Sequence, residues 1–180
     1  FMAALDQGKT AVSGKQLEFA LASVEPVRAG KYIAQRLKQE PIRKDGNGPW
    51  IELIGKAGGR EELKVLYQQA VNGGLNPAAT ERALNAIADA QRLRRLRPAG
   101  AVTGISQLIG SQDAKVQVAA IRLAGLWKLQ GQVKPLSGYA GTGKTPAIRG
   151  AAITALAQTG GGPAGAALVQ LAQAKDLGVA

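Results

Sequence analysis

One helical motif recurs along the chain. Ala83-Leu84-Asn85-Ala86-Ile87-Ala88 aligns with Ala120-Ile121-Arg122-Leu123-Ala124-Gly125 and with Ala152-Ile153-Thr154-Ala155-Leu156-Ala157. A fainter copy stands at Trp50-Ile51-Glu52-Leu53-Ile54-Gly55, and equivalent positions lie 33, 37 and 32 residues apart. A period in the thirties that holds two helices marks an α-solenoid, where each hairpin buries itself on the next. The third copy shows why the unit needs neighbours. On a helix at about 100° per residue, Leu126, Ala119, Leu123, Val116, Trp127, Ala120 and Ala124 share an arc of roughly 160°. Ile121 and Val118 fall outside that arc. A lone surface helix has no use for a second apolar face; a helix packed on several sides does.

Turn residues keep the same phase. Pro49–Ala57 is expected to be a short helix stopped by Gly58–Gly59, followed by Arg60–Asn72 with Leu63, Leu66, Tyr67 and Ala70 on one face. After Gly73–Gly74, Asn76 and Pro77 form an N-cap and first-turn pair. The helix they open runs through Leu84, Ile87 and Leu93 to Leu96. Pro98 opens its partner, with Val102, Ile105, Leu108 and Ile109. Asp113 begins the next long helix, which stops near Gly131, and a short partner follows around Val133–Ala140. Thr145–Pro146 opens another long helix to Thr159, and Pro163 opens a last partner with Ala167, Leu168 and Leu171 inward. Upstream, Gln16–Ser23 has helical character, and Pro26 starts a helix through Ala34, Leu37 and Lys38. Pro41 and the Lys44–Gly48 turn close that region. No stretch alternates with period two, so no strand is expected.

The expected fold class is all-α, a right-handed α-α superhelix of antiparallel hairpins in one continuous domain. An irregular region occupies 1–47, and units lie at about 48–74, 75–110, 111–142 and 143–175. The opening at Phe1 and the broken-off character of Lys175–Ala180 suggest a segment of a longer protein, so targeting signals could lie outside it.

Composition narrows the chemistry. The 180 residues contain no Cys and no His, which excludes disulfides, zinc fingers, haem-attachment motifs, cysteine nucleophiles and His-based triads within them. Hydrophobic residues make up 46% but aromatics only 4%, so the core is built from Ala, Leu, Ile and Val. The net charge of +11, from 23 Lys+Arg against 12 Asp+Glu, favours acidic partners such as nucleic acid, anionic lipid or an acidic protein surface. No apolar run approaches the ~18–20 residues of a membrane span. The start lacks the ordered basic and apolar regions of a signal peptide.

Two motifs invite a functional reading. Gly138-Tyr139-Ala140-Gly141-Thr142-Gly143-Lys144-Thr145 spells the P-loop pattern in full. A P-loop must follow a buried parallel strand, however, and Gly131–Ser137 carries Lys134 and Pro135. In the repeat phase the motif simply joins a short helix to the next long one. A weak anion site involving Lys144 at the following helix N-terminus is the residual expectation. The second motif is Arg92–Arg97, the densest positive charge. With Leu93 and Leu96 facing the core, Arg92, Arg94, Arg95 and Arg97 surround the helix at about 0°, 200°, 300° and 140°. They could grip an acidic partner, or flank the core and offset the helix dipole. Trp50 and Trp127 are expected in the core. The carboxylates are scattered, so no acid–base pair stands out, no metal or cofactor is expected, and the chain is not expected to be an enzyme.

Ala114–Gly125 and Pro146–Gly160 resemble HEAT repeats, relatives of armadillo repeats, and the resemblance covers about residues 48–175. Asp113 stands where the other long helices have Pro77 and Pro146. Ala90-Gln91-Arg92-Leu93-Arg94-Arg95-Leu96-Arg97-Pro98-Ala99-Gly100 and Ile121–Lys128 further resemble the HEAT segment of large exported bacterial proteins that combine a propeller-type dehydrogenase with a c-type cytochrome. That resemblance implies an extracytoplasmic linker or docking module, with no catalytic or haem residue in this chain. The function expected is a non-enzymatic scaffold or spacer, binding a protein or neighbouring domains on the surface lined by the short helices. The alternative is a basic nucleic-acid-binding protein related to DNA repair. A charge placed at Ala120 or Leu123 is expected to abolish the folded state, seen as loss of the cooperative thermal transition in circular dichroism.

Overall fold

The computed structural model of the chain describes residue 16 and residues 26–174, and among these there is no strand. The helices are α1 (Pro26–Gln39), α2 (Trp50–Ala57), α3 (Arg60–Val71), α4 (Pro77–Arg94), α5 (Ile105–Ile109), α6 (Ala114–Leu126), α7 (Val133–Thr142), α8 (Pro146–Thr159) and α9 (Gly161–Gln173). A turn of 3-10 helix, Gln130–Gln132, leads into α7. The expected helical segment Gln16–Ser23 lies outside the described residues except for Gln16.

Local chemistry starts each long helix. The Asn76 side chain accepts from the Ala79 N–H at 2.8 Å. The Asp113 carboxylate accepts from Lys115 and Val116 N–H at 2.9 and 3.1 Å. The Thr145 hydroxyl accepts from Ile148 N–H at 3.3 Å. Asn76, Asp113 and Thr145 are therefore equivalent N-caps, and Ala114, not Asp113, occupies the first-turn place of Pro77 and Pro146. This corrects the alignment by one residue, and the three helix starts then follow one pattern.

The fold is an α-α superhelical solenoid. Helices α2, α4, α6 and α8 pack side by side in chain order as one layer. Helices α3, α5 and α7 each pack on the long helix that follows them, α9 packs on α8, and α1 packs on α2 and α3. The equivalent residues Ile51, Leu84 and Ile121 are all at 0% exposure. Ile121 lies on the second apolar face of α6, which is buried because α4 and α8 flank that helix on both sides.

Backbone approach sets the spacing in this layer. A Cβ added to Gly55 would lie 2.8 Å from Ala86 Cβ and 3.0 Å from Ala86 O, across the α2–α4 contact. One added to Gly125 would lie 2.5 Å from Ala155 Cα, across the α6–α8 contact. In the repeat alignment Gly55 and Gly125 are the same position, and so are Ala86 and Ala155. At the first and third junctions of the layer a glycine of one long helix is thus seated against an alanine of the next, while the α4–α6 junction has Ala88 and Leu123 at these positions.

The aromatic residues join the two layers. Trp50 and Trp127 are buried, and Tyr67 of α3 meets Trp127 edge-on, with ring centroids 5.6 Å apart. The Tyr67 hydroxyl donates to Thr103 O at 2.9 Å, and burial pushes its pKa up to about 12.

The second hairpin departs from expectation. Pro98 does not open a helix; residues 95–104 form an irregular connector, and α5 begins only at Ile105. Arg95 sits at φ 56°, and Gly100 and Gly104 at 76° and 82°, conformations that a right-handed helix cannot contain. The connector is held on α3 by Tyr67 and by Ala99 N–H, which donates to Arg60 O at 2.9 Å.

Gly125→Ala is expected to destabilise the fold by about 2 kcal/mol, because the methyl group meets helix backbone. Gly150→Ala in α8, where a Cβ meets open space, is expected to stabilise by about 0.5–1 kcal/mol. Urea unfolding followed by circular dichroism measures both. Because the folded-state pKa of Tyr67 is raised, the unfolded chain loses its proton first. Stability should therefore fall as pH rises from 10 towards 12. In parallel urea titrations, Tyr67→Phe should flatten that part of the pH profile.

Candidate functional site

The arginine run occupies the end of α4, where helix register decides the direction of each side chain. Ala83, Ile87 and Ala90 are buried at helical spacing, and the next position on that line is Arg94. Its Nη1 donates to Gly58 O at 2.8 Å, and its Nη2 donates to Gly55 O at 2.8 Å and Ile54 O at 3.4 Å. The fork of one guanidinium thus satisfies the last carbonyls of α2. Partial burial lowers the Arg94 pKa from its ordinary value, and its Nε is buried without a partner. Leu93 does not face the core as the apolar pattern implied. With Arg94 on the inward line, Leu93 is turned out and is 81% exposed.

Arg97 points the other way along the layer. Its Nη1 reaches Trp127 O, just past the end of α6, at 3.5 Å, while its Nε donates to Gln91 Oε1 at 3.1 Å. Gln130, in the linker after α6, continues the pattern. Its amide donates to Thr159 O and Gly160 O at 3.3 and 3.2 Å, at the end of α8. A ladder of side-chain donors therefore runs along one rim of the long-helix layer, tying α4 to α2, α4 to α6, and α6 to α8. Gln130 carried no signal in composition or charge; its place in the linker after a long helix, like that of Arg97, is the cue.

The remaining candidates are exposed. Arg92 pairs with Asp89 at 3.4 Å, one turn away on the same helix, a contact worth little in solvent. Arg95 is exposed and ends α4 in the left-handed conformation. Lys144 is exposed too, but it precedes the N-terminus of α8, the opposite end from the ladder. Fourteen residues of helix separate the two ends, about 20 Å at helical rise. Lys144 and the arginines do not share a site.

The P-loop spelling resolves into a helix end. Gly138–Thr142 belong to α7, Gly143 is its C-cap, and Thr142 Oγ1 donates back to Gly138 O at 3.0 Å. At the start of α8, Pro146 has no N–H and the Ile148 N–H is taken by Thr145. That leaves little of the helix N-terminus to an anion beside Lys144.

Between the long helices lie shallow grooves. One, of about 230 Å³, is lined by Glu52, Lys56, Arg82, Asn85 and Asp89, with Gly55 and Ala86 as its floor. Arg82 spans it, bonding both oxygens of Glu52 at 2.9 Å and Gly46 O at 3.1 Å. A second, of about 190 Å³, lies between α4 and α6 and is lined by Glu81, Asn85, Lys115, Val118 and Arg122. Both are smaller than the roughly 300–1,000 Å³ of small-molecule sites.

The short helices differ in character. Glu61 and Lys64 of α3 pair at 3.8 Å, and Glu62 is spent on Gly59 N–H at 2.8 Å. From α5 through α7 to α9, the one charged helical residue is Lys134. The exposed groups there include Gln107, Pro135 and Val169.

Residues 102–180 match the family model for HEAT repeats. Comparison with curated proteins gives no match, and neither does comparison with solved structures. Together with the two-layer helical stack, the family match supports a HEAT-repeat domain.

Removing the Arg94 fork should leave the α2 carbonyls unsatisfied. Arg94→Ala is expected to cost about 2 kcal/mol in urea unfolding, and Arg94→Lys to recover only part of it. Arg95→Ala should change stability by no more than about 0.5 kcal/mol.

Proposed function

We propose that this chain is a non-catalytic interaction scaffold whose partner is a protein or a neighbouring domain of the same polypeptide. HEAT repeats usually serve as interaction scaffolds, and the observation that carries the reading here is the make-up of the short-helix layer. From α5 to α9 it presents amides, small residues and scattered aliphatic groups with a single lysine. A phosphate backbone needs several cations along one surface. A protein surface needs shape, amides and apolar contact. The basic residues of the arginine run support this assignment rather than the nucleic-acid alternative, because Arg94 and Arg97 are engaged with helix carbonyls. Arg92, Arg95 and Lys144, which face solvent, are the cations offered to acidic residues of the partner.

In this reading the units at about 48–74, 75–110, 111–142 and 143–175 form one continuous spacer, with residues 1–47 as an irregular lead-in. The finer resemblance to exported dehydrogenase–cytochrome proteins would make it an extracytoplasmic spacer. A signal peptide and a haem-binding CxxCH motif in the parent chain would check that point.

Fluorescence anisotropy with a labelled DNA duplex tests the choice of partner class. No saturable binding is expected at about 50 mM salt. Micromolar binding that weakens steeply by about 200 mM salt would overturn the protein-scaffold reading. The same titration with labelled ATP should show no binding, and none lost in Lys144→Ala.

A further inference from the structure

The positive-φ positions that follow the helices are not filled alike. After α3 the residue is Gly73, and after α8 it is Gly160. After α4 and α6 it is Arg95 at 56° and Lys128 at 54°, the two non-glycine residues of positive φ among the described residues. A residue with a Cβ takes this conformation at a cost that glycine escapes. Both side chains are exposed, and among the described residues neither makes a hydrogen bond or an ion pair. Backbone cost retained for the sake of a side chain points to a use for that side chain.

Contacts between segments gather further cations on the same rim. Arg97 Nη1 reaches the carbonyl of Trp127, the residue before Lys128, at 3.5 Å. Two residues beyond Arg97, Ala99 N–H donates to Arg60 O at 2.9 Å. The Arg60 side chain is exposed, with no partner among the described residues. The carboxylates beside these cations in sequence are engaged, Asp89 with Arg92, Glu61 with Lys64 and Glu62 with Gly59 N–H. In the last turn of α4 stands Leu93, at 81% the most exposed large apolar side chain among the described residues. The rim therefore combines unpaired cations with one uncovered aliphatic group.

We infer that this rim, with Arg60, Leu93, Arg95 and Lys128, docks an acidic polypeptide segment that carries an apolar residue among its carboxylates. The inference rests on the scaffold reading and gives the partner a chemistry. Charge complementarity selects an anionic occupant, and spacing selects its kind. Packed helix axes lie about 8–10 Å apart, so cations at the ends of α4 and α6 stand too far apart to converge on one phosphate group. They suit carboxylates spread along a chain, and the arginine fork takes a carboxylate through two parallel hydrogen bonds. Leu93 separates a protein from the other polyanions. A nucleic-acid backbone gives it no cover, and a lone leucine is a small apolar face for a bilayer. An aliphatic or aromatic side chain of the segment covers it.

Fluorescence anisotropy of the full chain with a labelled peptide of alternating Asp and Glu around one central Leu tests the proposal. A dissociation constant of about 10–100 μM is expected, that of a few exposed ion pairs and one apolar contact. Arg95→Gly combined with Lys128→Gly should weaken binding at least about tenfold while the urea midpoint stays level or rises. Leu93→Ser should weaken it about threefold. Lys144→Ala, on the opposite rim, should leave it unchanged. Absence of peptide binding overturns the inference, and so does binding indifferent to the double variant or equally sensitive to Lys144→Ala. A lower urea midpoint in the double variant also overturns it, because the two cations would then serve the helix ends. Tighter binding to phosphatidylserine–phosphatidylcholine vesicles than to the peptide overturns it in favour of a membrane. If neither peptide nor DNA duplex binds, this inference falls and the scaffold reading stands; saturable duplex binding that is lost in the double variant removes both.

Discussion

The structure depends on how closely successive long helices approach. Where Gly55 meets Ala86 and Gly125 meets Ala155, there is no room for a Cβ on the glycine. Contact at that distance brings backbone against backbone and gains dispersion along the helix, but it leaves no room for a side chain at the glycine itself. Bulk sits to either side of those two crossings, at Ile51, Leu84 and Ile121 of the long helices and at Leu63, Leu66 and Tyr67 of α3 and Leu136 of α7. Two tryptophans suffice, at Trp50 and Trp127, because most of the interior is lined by small and aliphatic groups.

Close parallel packing creates an electrostatic problem that the cations help to solve. Four long helices end on one rim, so their unsatisfied carbonyls and negative dipole ends gather there. Arg94, Arg97 and Gln130 donate to those ends, and each is carried by a neighbouring repeat unit. Arg149 does the same for α7 at Gly143 O. Part of the excess positive charge is thereby structural. Net charge is a poor guide to partner chemistry in a fold whose helix termini are collected side by side.

Much of the fold was legible in the sequence, because helix starts and stops are local chemistry. Asn76-Pro77, Asp113 and Thr145-Pro146 act through hydrogen bonds within a turn, so they speak without tertiary context. The second apolar face of α6 was also readable, since side-chain type and period suffice to show it. What could not be read depended on geometry between segments. Leu93 looked inward because it is apolar, yet the line from Ala83 through Ala90 leads to Arg94, whose role becomes visible only when the end of α2 lies beside it. The non-helical connector after α4 was hidden for a different reason: Arg95 takes a left-handed conformation with no glycine to announce it. The candidate cations were found by density, but density said nothing of rim, and Lys144 lies at the other end of the layer.

The placement of the donor ladder has a mechanical consequence. Along the rim where the long helices end, side chains bridge every junction from α2 to α8. Along the rim where they begin, the bridge is Arg82 to Glu52, between α2 and α4. The stack is therefore bound along one margin like the leaves of a fan, and among the described residues no side-chain hydrogen bond or ion pair joins successive long helices along the opposite margin beyond α4. Under tension or on engaging a curved surface, the compliant direction is a splaying of α6 and α8 at their starts, pivoting about the laced margin. Stiffness in this superhelix is directional, and the direction is written in three side chains, Arg94, Arg97 and Gln130.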